Sequence, residues 1–181
     1  MALLIHGSRV VAAALVVSWC AMALAEPPPS GWKRERMEGL FQCAIPPDWW
    51  HDRFMIPPER GAAYTSGLDL IRVQRCEAAG PGPKTPKEFL GEYELVGNKF
   101  EKGDALEVSG RPAERWSRRY LVTSARREGR GHTEWIYDEV VFLSDPKGFW
   151  ALRFTSRSRL FSDPPRGLDI WKRFLESFKL L

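Results

Sequence analysis

The chain has 181 residues, enough for one domain with a real hydrophobic core, and carries a formal net charge of +4. Of its 3 histidines and 3 cysteines, one of each falls within the first 25 residues. The remainder therefore holds too few histidines for a multi-histidine metal centre, and its two cysteines are not a C-x-x-C redox pair.

Residues 1–25, MALLIHGSRVVAAALVVSWCAMALA, contain Arg9, an apolar run from Val10 to Trp19, and Ala23-Leu24-Ala25 before Glu26. This is the charged start, apolar middle and small-residue cleavage site of a secretory signal, and the run is too short to span a bilayer. A buried N-terminal helix is disfavoured because the segment has no polar face. Lipidation at Cys20 would need a small residue before it, where Trp19 stands. The expectation is export to the periplasm or the extracellular space, cleavage after Ala25, and no transmembrane segment thereafter.

Losing that leader removes one basic residue and no acid, so the formal charge falls from +4 to +3. The charge is unevenly spread. Residues 111–130 hold seven arginines against Glu114 and Glu128, whereas residues 88–107 hold six acids against Lys99 and Lys102. Such polarity bears on partners more than on fold.

Residues 26–37, beginning EPPPS, read as a short extended leader, and 38–181 as a single domain. GLFQCAIPPDWW (39–50) alternates Phe41, Cys43 and Ile45 before Pro46-Pro47 and reads as a first strand and its turn. Residues 51–67 read as loop or irregular edge structure. LDLIRVQRC (68–76) is the next strand. Thr85-Pro86-Lys87-Glu88 is a capping box with proline at the first helical position, and Phe89, Tyr93 and Val96 follow at helical spacing before Gly97.

From residue 104 the pattern turns to strands: DALEVSGRP, RWSRRYLVTS, HTEWIYDEVVFLS and FWALRFTS. The third alternates on both sides, with Trp135, Tyr137, Val141 and Leu143 opposite Ile136, Val140 and Phe142, as in a central strand covered on each face. DPKG (145–148) makes a tight turn. Asp163-Pro164-Pro165 opens a second helix with Leu168, Trp171, Leu175 and Phe178 on one stripe.

This order implies an α+β fold with a central, largely antiparallel β-sheet flanked by helices. FQCAIPPDWW, TPKEFLGEY, EVSGRPAERW and GFWALRFTSRSRLF with IWKRFLESFKL resemble the PsbP and Mog1 group over about residues 38–180. That resemblance implies an α/β/α sandwich and a non-catalytic accessory or docking role.

Cys43 and Cys76 would meet in a disulfide if their strands paired, stabilising by about 3–4 kcal/mol in the chain-entropy account; two separately buried thiols are the alternative. Asp48, His51 and Asp52 could serve a hydrolase, although a polar turn explains them as well. Ser109-Gly110 and Ser66-Gly67 have no placed histidine, and no nucleophile elbow, phosphate loop or dinucleotide fingerprint occurs. No cofactor or metal is expected.

ARREGRGH (125–132) stands between two clear strands as a hairpin loop. Arg126, Arg127, Arg130 and His132 would crowd one exposed end. Export and the lack of interleaved aromatics argue against nucleic acid, leaving a solvated tip, an acidic protein partner or an anionic envelope surface. The leading expectation is a monomeric, non-enzymatic accessory or binding module of the cell envelope. The alternatives are an envelope hydrolase with its site near His51 and a carrier of a small apolar ligand between sheet and helix.

Overall fold

The computed structural model describes residues 30–54, 60–94, 97–124 and 132–181; the expected secretory leader lies outside them. The elements begin with β1 (Lys33–Met37), β2 (Phe41–Ile45), β3 (Trp50–Phe54), β4 (Arg60–Thr65), β5 (Asp69–Glu77) and α1 (Pro86–Tyr93). β6 (Glu101–Lys102), β7 (Leu106–Val108), β8 (Arg111–Ser124), β9 (His132–Asp145) and β10 (Gly148–Ser158) follow. α2 (Leu168–Ser177) and β11 (Lys179–Leu180) end the chain.

An eight-stranded sheet runs in the order β3-β4-β5-β10-β9-β8-β6, with β7 also paired to β8. β1, β2 and β11 form a second, three-stranded sheet, and every pairing in both sheets is antiparallel.

β9 is central, as its double alternation predicts. Val141 and Leu143 join one buried cluster, Val140 and Phe142 another. The larger cluster packs the big sheet against α2 and the small sheet, through Phe41, Trp171, Phe174 and Phe178. Trp171 stacks between Phe154 and Phe174, with ring centroids 5.6 and 5.5 Å apart. Burying each such ring stabilises by roughly 2–3 kcal/mol. The smaller cluster places Phe89 and Leu90 of α1 over Phe142 and Phe149 on the opposite face.

The helix-flanked α/β/α sandwich is therefore corrected to a β-rich fold. Strands hold 55% of the described residues and helices 13%. Two stretches account for the difference. KRERM, expected in the leader, becomes β1 by pairing with β2, and the expected loop supplies β3 and β4, which extend the large sheet from β5. Neither segment has a strong apolar alternation of its own; its strand character comes from its partner.

The helices form where the sequence signals place them, but their ends differ. Thr85 Oγ1 accepts from the Glu88 amide at 3.1 Å, while Glu88 Oε2 reaches past the cap to the Lys84 amide at 2.8 Å. α1 stops at Tyr93, short of Val96, where Arg118 Nη1 donates to the Tyr93 carbonyl at 2.6 Å. That guanidinium satisfies one of the carbonyls a helix leaves open at its end. α2 begins later than the proline signal implies, after Gly167 in the left-handed region at φ 73°. A β-carbon at Gly167 would stand 3.0 Å from Asp69 and Phe154, so glycine serves both the turn and the close approach.

The expected Cys43–Cys76 bridge does not form. β2 and β5 belong to different sheets, and the two thiols lie in different buried clusters on opposite faces of the large sheet. Cys43 instead donates to Tyr64 Oη at 3.6 Å, and burial pushes its thiol up to about 12.

Candidate binding surface

One end of the large sheet gathers the end of β8, the start of β9, the end of β10 and the starts of β5 and β3. The registers that align them are Ser124 with His132, Trp135 with Ser158, Asp69 with Ser156, and Trp50 with Thr65. Arg126, Arg127 and Arg130 lie outside the described residues, within the 125–131 segment that joins Ser124 to His132. His132 opens β9 with Nε2 3.1 Å from Glu134 Oε1.

Eight large apolar side chains are exposed among the described residues, and seven of them occupy this end. They are Leu121 and Val122 on β8, Leu68 and Leu70 around the start of β5, Trp50 on β3, and Leu160 and Phe161 just past β10. Leu160 is 77% exposed and Phe161 55%. Scattered exposed apolar residues are ordinary, and seven of eight at one end of the sheet make that end the candidate surface.

Arginines are set among them. Arg157, Arg159 and Arg166 are exposed, and Arg119 is half-buried. The Arg119 guanidinium lies 4.6 Å from the Phe161 ring centroid and 5.9 Å from that of Tyr137, and it pairs with Asp163 at 3.7 Å. Phe161 in turn meets Trp135 edge-on at 5.3 Å. The ring and the guanidinium thus hold each other in place at the rim.

A buried polar network stiffens the strands beneath. Asp138 on β9 is fully buried and sits opposite Arg118 on β8 and Thr155 on β10. It accepts from Arg118 Nη2 at 2.8 Å, Arg153 Nη2 at 3.0 Å and Thr155 Oγ1 at 2.6 Å. Burial works to raise this carboxyl, but Arg153, Thr155 and Arg118 outweigh it and hold it below the usual carboxylate range. On the other face, Glu139 accepts from Trp171 Nε1 at 2.8 Å and from the Tyr137 hydroxyl.

The other expected sites are placed differently. His51 is exposed on edge strand β3, its ring 6.4 Å from that of Tyr64. The two serines considered for a hydrolase hold local structure: Ser66 Oγ accepts from the Asp69 amide at 3.1 Å, and Ser109 Oγ from the Leu180 amide at 3.0 Å. A cleft of about 420 Å³ lies between α2 and the sheet, with Glu139 and Trp171 among its walls and Arg115, Lys172, Glu107 and Glu176 also lining it. Leu106, Tyr137, Leu168 and Leu175 complete the walls, so the lining mixes apolar and charged groups.

No known family model matches the chain, and no curated protein matches it. The resemblance to the PsbP and Mog1 group is accordingly not confirmed. Among solved structures, the chain is similar to LpqN of Mycobacterium tuberculosis, described as involved in cell envelope biogenesis. The identity is 12% and the TM-score 0.35, over 85% of this chain and 80% of that one. A likeness at that level carries no functional argument. No helix among the described residues is long and apolar enough to cross a membrane.

Sequence reading singled out the arginine loop and missed the apolar half of the surface. The signal available was RSRLF (157–161), an apolar pair directly after two arginines at the end of a strand. Leu68, Leu70, Leu121 and Val122 had no such signal, because each sits in an ordinary strand pattern.

Proposed function

We propose that this chain is an exported, non-catalytic accessory module of the cell envelope that works by binding through the basic and apolar end of its large sheet. Cleavage after Ala25, a single domain and a monomeric state belong to the same reading. The observation that carries it is the convergence of seven exposed apolar side chains on the end that also bears Arg119, Arg157, Arg159 and Arg166. The sequence adds Arg126, Arg127 and Arg130 to the segment connecting β8 and β9. A cationic rim of this kind favours anionic or acidic counterparts and makes binding salt-dependent.

The test is retention on envelope isolated from the producing cell, comparing the wild type with Arg126, Arg127 and Arg130 all changed to Glu. The wild type should be retained at low salt and released at high salt, and the variant should stay in the supernatant. Equal retention of the two across the salt range, or retention of neither, would sink the reading.

A further inference from the structure

We infer that this end of the sheet docks on the interfacial layer of an anionic lipid bilayer, with Leu121, Leu160 and Phe161 entering the layer and the surrounding arginines meeting its headgroups. The inference rests on the binding reading above and names its counterpart.

Three observations favour a lipid surface over an acidic protein. Leu160 and Phe161 project from the segment beyond the sheet, 77% and 55% exposed. The recess they help to line at this end, with Trp135 and Pro165, measures only about 20 Å³, room for roughly one water molecule and too little for an anchoring side chain of a partner. Anchoring side chains of a protein partner need pockets to fill, whereas a fluid apolar layer accepts projecting groups without one. The charges also fit. Arg159 directly precedes the apolar pair, Arg157 stands two residues earlier, and Arg166 lines the same recess as Leu160 and Phe161. Their stems can lie along the apolar side chains while the guanidiniums stay at headgroup level. Finally, Trp135 packs its ring against Phe161 at the boundary between buried sheet and exposed tip, an amphipathic ring at the depth where an interface would sit.

Co-flotation with vesicles tests this. The protein is taken as the producing cell processes it, wild type and variants in the same form, so that any N-terminal contribution is common to all. Vesicles of pure phosphatidylcholine are compared with vesicles containing about a third phosphatidylglycerol. The wild type should float with the anionic vesicles and not with the zwitterionic ones. Arg157→Glu with Arg159→Glu should weaken partition about 25-fold or more, at about fivefold for each arginine near an anionic surface. Leu160→Ser with Phe161→Ser should weaken it about tenfold or more while leaving its salt dependence unchanged. Thermal melts of both variants check that the fold is intact, as the exposure of all four residues predicts.

Equal flotation of the wild type and either variant overturns the inference. So does envelope retention that is lost on charge reversal while no vesicle binds, since the counterpart is then a protein and the binding reading stands. Failure of both assays removes the two together.

Discussion

Asp138→Ala should be among the most destabilising single changes in this fold. The carboxylate is fully buried and faces Arg118, whose side chain is 4% exposed, and Arg153, at 17%. Removing the acid leaves both guanidiniums facing a cavity without their shared counter-charge, and it strips Thr155 Oγ1 of its acceptor. Breaking a buried pair from one side costs about 3–5 kcal/mol. For a chain of this size that corresponds to a fall in Tm on the order of 10 °C. Urea unfolding is the assay, with a lower midpoint and an unchanged slope expected.

Acid provides a second reading of the same network. The folded state holds Asp138 below the usual carboxylate range, so its contribution is fully present above the unfolded value, about 3.9. It is lost as pH falls through the folded value. The gap between wild type and Asp138→Ala should narrow from pH 5 toward pH 2. A loss under about 1 kcal/mol at pH 7, or a gap that stays constant into acid, would refute the account.

Other outcomes follow from single contacts. Thr85→Ala removes the acceptor of the Glu88 amide and should cost about 1 kcal/mol by urea unfolding, with Lys84 and Glu88 unable to replace it. Gly148→Ala should cost at least about 2 kcal/mol, because a β-carbon there would lie 2.0 Å from the Cys76 carbonyl oxygen in a backbone at φ 151°. Cys43, pushed up to about 12 by burial, should resist alkylation at pH 8 in the folded protein and react once it is unfolded in urea. Trp171→Phe keeps an apolar ring but removes the indole donor to Glu139, and should lower stability by about 1–3 kcal/mol in the same unfolding assay.

What the sequence determined by itself is what neighbours along the chain can decide. The Thr85 cap, the turn at Asp145-Gly148 and the two-sided alternation of β9 are all set within a few residues and form as the pattern predicts, while Glu88 closes on the Lys84 amide and not on that of Thr85. The arginine segment, 125–131, lies outside the described residues, between two strands that form as expected. Tertiary structure decided the rest. β1, β3 and β4 are strands because a partner edge completes their backbone hydrogen bonds, which no local alternation announces. The two cysteines part because their strands enter different sheets. Asp138 meets Arg118 and Thr155 only through the register of three strands. The apolar end is assembled from positions between Trp50 and Phe161, separated along the chain and joined only where the strands stop together. Pairing register and strand endings are long-range properties, and they set both the network that holds this protein and the surface it presents.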